Sequence, residues 1–117
     1  YIRSNENAVT AVTEPVEVIE VKADKQPIGK SDHRKDFTTH HINYQEGITF
    51  YLMTDGYPDQ FGGPKGKKFK YKQLEELLLS NSTKNLYEQK EILSREFESW
   101  KGDLEQVDDV TIIGIKL

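Results

Sequence analysis

The chain has 117 residues, 35% hydrophobic and 31% charged, with a formal net charge of −4; that length holds one domain with a core of its own and no second core. Twelve aromatic residues argue against a disordered chain, and the acidic balance argues against a general nucleic-acid binder, which needs a basic excess to neutralise phosphates. No apolar run approaches the roughly 18 residues of a membrane span, and the absence of Cys excludes disulfides, thiolate metal sites and thiol catalysis while suiting a reducing, cytoplasmic setting.

In chain order, residues 1–3 read as the end of a strand and not as a leader, since no apolar stretch follows. A start in mid-strand leads us to expect a single domain over 1–117 cut from something longer. Residues 4–7 are turn chemistry, across which 9–13 is expected to pair with 1–3. Residues 16–22 alternate apolar and acidic, and the slip at Val18–Ile19 predicts a bulge in a half-exposed strand. Residues 24–35, with Pro27 and Gly29, read as a loop. Residues 37–44 are rich in β-formers, and 45–47 forms a hairpin turn into 48–54. That stretch, Ile-Thr-Phe-Tyr-Leu-Met-Thr, is the most apolar run and predicts a central strand covered on both faces.

Pro58, Gly62, Gly63, Pro64 and Gly66 then speak against regular structure. Leu74, Leu77 and Leu78 after Tyr71 have helical spacing. Leu86, Leu93, Phe97 and Trp100 form the stripe of a second helix, expected to pack on the sheet. Gly102 stops it, and Ser82 or Thr83 is its expected N-cap. Residues 110–117 form the last strand. Strands, two helices and a final strand predict an α+β fold: a mainly antiparallel sheet with two helices packed on it. The strands 48–54 and 110–117 are free to be neighbours.

The chemistry sits at two strand ends. Asp55 follows one buried strand and Asp108 and Asp109 precede another. If those strands are antiparallel neighbours, the three acids gather at one edge of the sheet. Gathered carboxylates repel and raise one another's pKa; a hard divalent cation relieves this. Oxygen donors without Cys or a nearby His favour Mg²⁺ or Mn²⁺. Against this, Asp-Gly is a common turn dipeptide and Asp before a strand is an ordinary capping residue, so the residues alone leave both readings open. His40 and His41 should point to opposite faces of a strand and so cannot chelate one ion. Asp59 reads as a surface loop residue. Lys65, Lys67, Lys68, Lys70 and Lys72 form either a steering patch for a phosphorylated partner or a solvated loop entering a helix.

Two motifs carry a family resemblance. Leu52-Met53-Thr54-Asp55-Gly56 and Asp108-Asp109-Val110-Thr111-Ile112-Ile113 resemble those of metal-dependent type 2C (PPM) serine/threonine phosphatases, in particular the bacterial SpoIIE/RsbU-like branch. The stretch Asp59-Gln60-Phe61-Gly62-Gly63-Pro64-Lys65-Gly66-Lys67-Lys68-Phe69 is similar to a loop of sensor-coupled members, and Gln26-Pro27-Ile28-Gly29 to a turn of that branch. The resemblance runs through about residues 20–117 and implies part of an αββα sandwich. It implies Asp55 and Asp108 as ligands of Mn²⁺ or Mg²⁺, with Asp109 and Gly56 auxiliary. It implies a phosphorylated bacterial regulatory protein as substrate. No Asp precedes Asp24, and Asp32-His33 lies in a charged loop, so the family's early Asp-Gly motif has no counterpart. The chain thus resembles the C-terminal half of such a domain, and weak metal binding with little turnover is expected of it. The competing expectation is a non-catalytic phosphatase-like binding module; in a third, an unrelated α+β domain, both Asp motifs are turns.

Overall fold

The computed structural model describes residues 7–13, 17–21, 35–43 and 46–117. The elements are β1 (Asn7–Thr13), β2 (Glu17–Val21), β3 (Thr49–Thr54), β4 (Phe61–Gly62), β5 (Lys67–Lys68), α1 (Tyr71–Ser80), α2 (Leu86–Lys101) and β6 (Ile112–Lys116). All strand pairs with a described register are antiparallel, and with two helices this is the expected α+β class. The chain divides into two compact units: the four long strands form one, and residues 54–111 the other.

In the first unit the sheet order is β2-β1-β3-β6. β3 and β6 are neighbours as expected, with Met53 opposite Ile112 and Thr49 opposite Lys116. Further bonds close their far end: Gly47 N–H donates to Leu117 O (3.3 Å) and Leu117 N–H to Ile48 O (3.0 Å). β1 pairs with β2, Val9 opposite Val21 through Thr13 opposite Glu17; the expected pairing of 9–13 with 1–3 lies outside the described residues. Two expectations are corrected here. The β1–β2 register is unbroken, so Val18–Ile19 is not a bulge; both residues take part in an uninterrupted ladder. β3 is not covered on both faces. Thr49, Tyr51 and Met53 are buried, while Leu52 is 39% exposed. Strand side chains alternate in direction, and on the other face Phe50 is half-buried and Leu52 exposed.

Of the β-former run, the described residues 37–43 do not make a strand. Residues 35–43 carry no regular structure, and His40 and His41 are exposed in an irregular segment. The strand argument against their chelating one ion therefore does not apply. The readings of the 4–6 turn, the 24–34 loop, the Pro27–Gly29 turn and Asp32-His33 lie outside the described residues.

The second unit is built around aromatic packing. Tyr57 meets Phe69 edge-on at 5.2 Å and Phe97 at 5.0 Å, and Phe69 meets Trp100 edge-on at 5.3 Å. Tyr57, Phe69, Leu74, Leu78 and Phe97 are buried; such rings each remove a large apolar area from water. Trp100 turns out to serve the glycine-rich loop. Its indole N–H donates to Gln60 O (2.9 Å), and its own carbonyl accepts from Gly63 N–H (2.9 Å). A Cβ on Gly62 would sit 1.9 Å from that carbonyl, so only glycine lets the loop approach α2. Held this way, the segment expected to be irregular forms the short β4–β5 ladder, Phe61 opposite Lys68 and Gly62 opposite Lys67.

Both helices fall where the leucine spacing put them, and α2 ends at Gly102, whose N–H donates to Glu98 O (3.0 Å). Its N-cap is Asn85, not Ser82 or Thr83. Asn85 Oδ1 accepts the Glu88 N–H (2.8 Å) and its amide donates to Glu88 Oε1 (3.2 Å), a reciprocal pair spaced like a capping box. Residues 81–84 instead make turns that precede the cap. The N-cap of α1 is Lys70, which takes φ +75° and ψ 151°, a conformation costly for a residue with a Cβ. Its N–H donates to Pro58 O (2.8 Å) and its carbonyl accepts from Leu74 N–H (3.2 Å).

Candidate functional site

The chain leaves β3 and returns toward β6 through two segments that lie side by side. Thr54 ties them. Its N–H donates to Thr111 O (3.0 Å), its hydroxyl donates to Asp109 O (3.1 Å), and the same hydroxyl accepts from Thr111 N–H (3.1 Å). One Thr side chain thus satisfies a donor and an acceptor that the ladder leaves over beyond Met53–Ile112.

Two residues later the approach is closer still. A Cβ built on Gly56 would lie 2.1 Å from Asp109 O and 2.8 Å from its carbonyl carbon. The Gly of the Asp-Gly pair is therefore needed for contact, not only for turning. Asp55 stands between these two anchors and is 93% buried, since its exposure is 7%. Its carbonyl accepts from Asp59 N–H (2.9 Å), which closes the turn that follows.

On the facing segment Asp108 and Asp109 are exposed. Asp108 Oδ1 accepts the Asp109 N–H (2.8 Å), which fixes its rotamer while leaving its second oxygen available, for a carboxylate has about four acceptor sites. Gln106 Nε2 donates to Asp108 O (3.0 Å). The structure therefore brings the Asp55-Gly56 and Asp108-Asp109 motifs together at the level of the backbone.

Gln60 is a positioning residue to which the sequence assigned no role. It is fully buried. Its amide donates to Glu105 O (2.8 Å) and Phe61 O (3.0 Å), and its Oε1 accepts from Val107 N–H (3.4 Å). It thus holds the stretch leading into Asp108. A buried polar group has to be hydrogen-bonded, but nothing in a Gln beside a glycine run announces burial. Tyr57 lies behind the same turn. Its hydroxyl donates to Leu93 O (2.8 Å), and burial, with Glu96 adding to it, pushes its phenol above the ordinary range.

Among the described residues, no group of three or more His, Cys, Asp or Glu side chains is placed to hold a metal ion. Asp55 and Asp108 are hard oxygen donors. That set suits Mg²⁺, which is commonly held by one or two carboxylates and keeps several of its waters. The five lysines lie elsewhere in the same unit. Lys65, Lys67 and Lys68 are exposed on the β4–β5 hairpin, and Lys68 Nζ is 3.7 Å from Asp59 Oδ1.

A family profile, Stage II sporulation protein E (SpoIIE), matches residues 4–117. The chain belongs to the SpoIIE family. The match begins at residue 4, well before the start near residue 20 that the motifs suggested. Among solved structures, the SiaA-PP2C domain of Pseudomonas aeruginosa is similar at 28% identity with a TM-score of 0.83. The alignment covers 96% of this chain and 43% of that one. The SpoIIE-family chain therefore has the fold of part of a PP2C-type phosphatase domain, and spans less than half the length of the structure it matches. A search of curated proteins found no significant match. No helix among the described residues is long and apolar enough to cross a membrane.

Proposed function

We propose that this chain contributes Asp55 and Asp108 to the Mn²⁺ or Mg²⁺ site of a serine/threonine phosphatase domain. One observation carries the reading: the Thr54 hydroxyl bridge, which holds the Asp55 backbone beside Asp109 in a chain of this family. When bound, the cation lowers the pKa of a water and offsets charge on phosphoryl oxygens.

The chain's own residues do the positioning. Thr54 aligns the two acid-bearing segments, Gly56 allows their contact, and Gln60 holds the approach to Asp108. Asp109 acts through its backbone, as acceptor for Thr54 and donor to Asp108. The substrate is a phosphoserine or phosphothreonine of a bacterial regulatory protein in the cytoplasm. With two carboxylates the isolated chain binds metal weakly and turns over little, if at all. A binding module without catalysis is the second reading, favoured by the lack of a three-ligand group among the described residues.

The test is Mn²⁺-dependent release of phosphate from a phosphoserine peptide by the full-length protein, with p-nitrophenyl phosphate as substrate for the isolated chain. Asp55→Asn and Asp108→Asn should each lower full-length activity by more than about tenfold, as loss of even outer metal-site groups does. Undiminished activity in both variants overturns the assignment. Robust turnover by the isolated chain contradicts the weak-site reading.

A further inference from the structure

We infer that the β4–β5 hairpin is an electrostatic docking element for an acidic peptide segment, one that flanks the phosphorylated residue of the substrate. Only the last clause rests on the phosphatase reading; the acidic-peptide chemistry stands by itself.

The first observation is charge. Between Phe61 and Lys72 there are five lysines and no acid, in a chain whose formal net charge is −4. Lys65, Lys67, Lys68, Lys70 and Lys72 are all exposed. A local excess of one sign on a molecule of the other sign orients an incoming partner and raises its rate of encounter.

The second observation is rigidity. The hairpin is tied at its base by Gly63 to Trp100, Trp100 to Gln60, Phe69 N–H to Gln60 O (3.0 Å) and Lys70 N–H to Pro58 O (2.8 Å). Its tip is open: a Cβ on Gly66 would meet nothing within 4 Å. Lysines on a fixed ridge lose less freedom on binding than lysines on a loose loop.

The third observation is that the ridge is not purely ionic. Phe61 is 41% exposed, and Lys68 Nζ sits 5.8 Å from its ring centroid. A peptide backbone laid there meets a flat apolar face bordered by cations. Lys68 is drawn to Asp59 at 3.7 Å, a surface pair weak enough to exchange for a peptide carboxylate. Asp59 in turn closes the turn that starts at Asp55, so the ridge and the candidate metal site belong to one continuous piece of chain.

Fluorescence anisotropy with a labelled glutamate-rich peptide tests this, in EDTA, at low and at physiological ionic strength. Lys65→Glu/Lys67→Glu/Lys68→Glu should weaken binding at least about tenfold and flatten its salt dependence. Lys90→Glu/Arg95→Glu, on exposed positions of α2, should leave binding unchanged. Trp100 emission reports that each variant is folded. Adding phosphoserine to the peptide should tighten binding further. Equal binding by the hairpin variant overturns the proposal, as does tighter binding of RNA or of phosphatidylserine vesicles than of the peptide. Asp55→Asn should bind the peptide normally. A chain that docks peptide but never uses metal thus sinks the phosphatase reading alone, and one that uses metal but ignores the peptide sinks this one alone.

Discussion

Replacing Gly56 by alanine is the sharpest perturbation of the site that leaves every carboxylate in place. The new Cβ would fall 2.1 Å from Asp109 O, 2.8 Å from Asp109 C and 3.1 Å from Val110 Cγ2. A Cβ tolerates roughly 3 Å at the closest, so the two segments must open by about 1 Å, and the obstacle is backbone that cannot rotate aside. Opening by that much carries the Thr54 hydroxyl from 3.1 Å toward 4 Å from Asp109 O, beyond hydrogen-bonding range. Overpacking costs about 1–3 kcal/mol and the lost bond about 1 kcal/mol. The stiffer unfolded chain returns about 0.5–1 kcal/mol. The net is a loss of about 1–3.5 kcal/mol, or roughly 5–15 °C in Tm. Urea unfolding followed by Trp100 fluorescence measures it, and Mn²⁺ affinity should fall in parallel. A variant with an unchanged urea midpoint would show that the Asp55 and Asp109 segments are not in contact, and the site reading would fall with it.

Two further predictions concern the scaffold. Lys70→Gly relieves the φ +75° strain at the start of α1; the strain is about 1–3 kcal/mol and the added backbone freedom about 0.5–1 kcal/mol, so calorimetry should show a Tm raised by several degrees, and a lowered Tm contradicts it. Tyr57 has its phenol pKa raised by burial, then by Glu96. The folded form therefore keeps its proton where the unfolded form has lost it. Its contribution is complete below about pH 10 and fades as pH rises beyond, by at most about 1.4 kcal/mol per pH unit. Urea midpoints taken from pH 9 to 11 should fall more steeply for the native chain than for Tyr57→Phe; parallel slopes would refute the buried phenol.

Where the sequence was legible, one periodicity dominated. The leucines at 74, 77 and 78 and the stripe from 86 to 100 repeat at helical spacing, and both helices formed. The apolar run at 48–54 and the run before Leu117 placed the paired strands, and with them the two acidic motifs. The failures share a cause: interactions between residues far apart in sequence. Gly62 and Gly63 read as breakers, yet with both seated against Trp100, Gly62 became part of a ladder and Gly63 the start of its turn. Ser82 and Thr83 have cap chemistry, but Asn85 alone sits three residues before a Glu that can answer it. The open face of β3 was misread because apolar composition does not say which side is covered. Gln60 and Thr54 act through carbonyls 45 and 55 residues away, and no local pattern encodes that.

The central claim is that Asp55 and Asp108 serve one cation, and a double-mutant cycle on Mn²⁺ affinity tests it most directly. Titration calorimetry of the native chain, Asp55→Asn, Asp108→Asn and the double variant gives the four values needed. Shared coordination predicts weak saturable binding that either single substitution nearly abolishes, with the double variant losing little more. Losses that simply add, or an affinity indifferent to both substitutions, would contradict it.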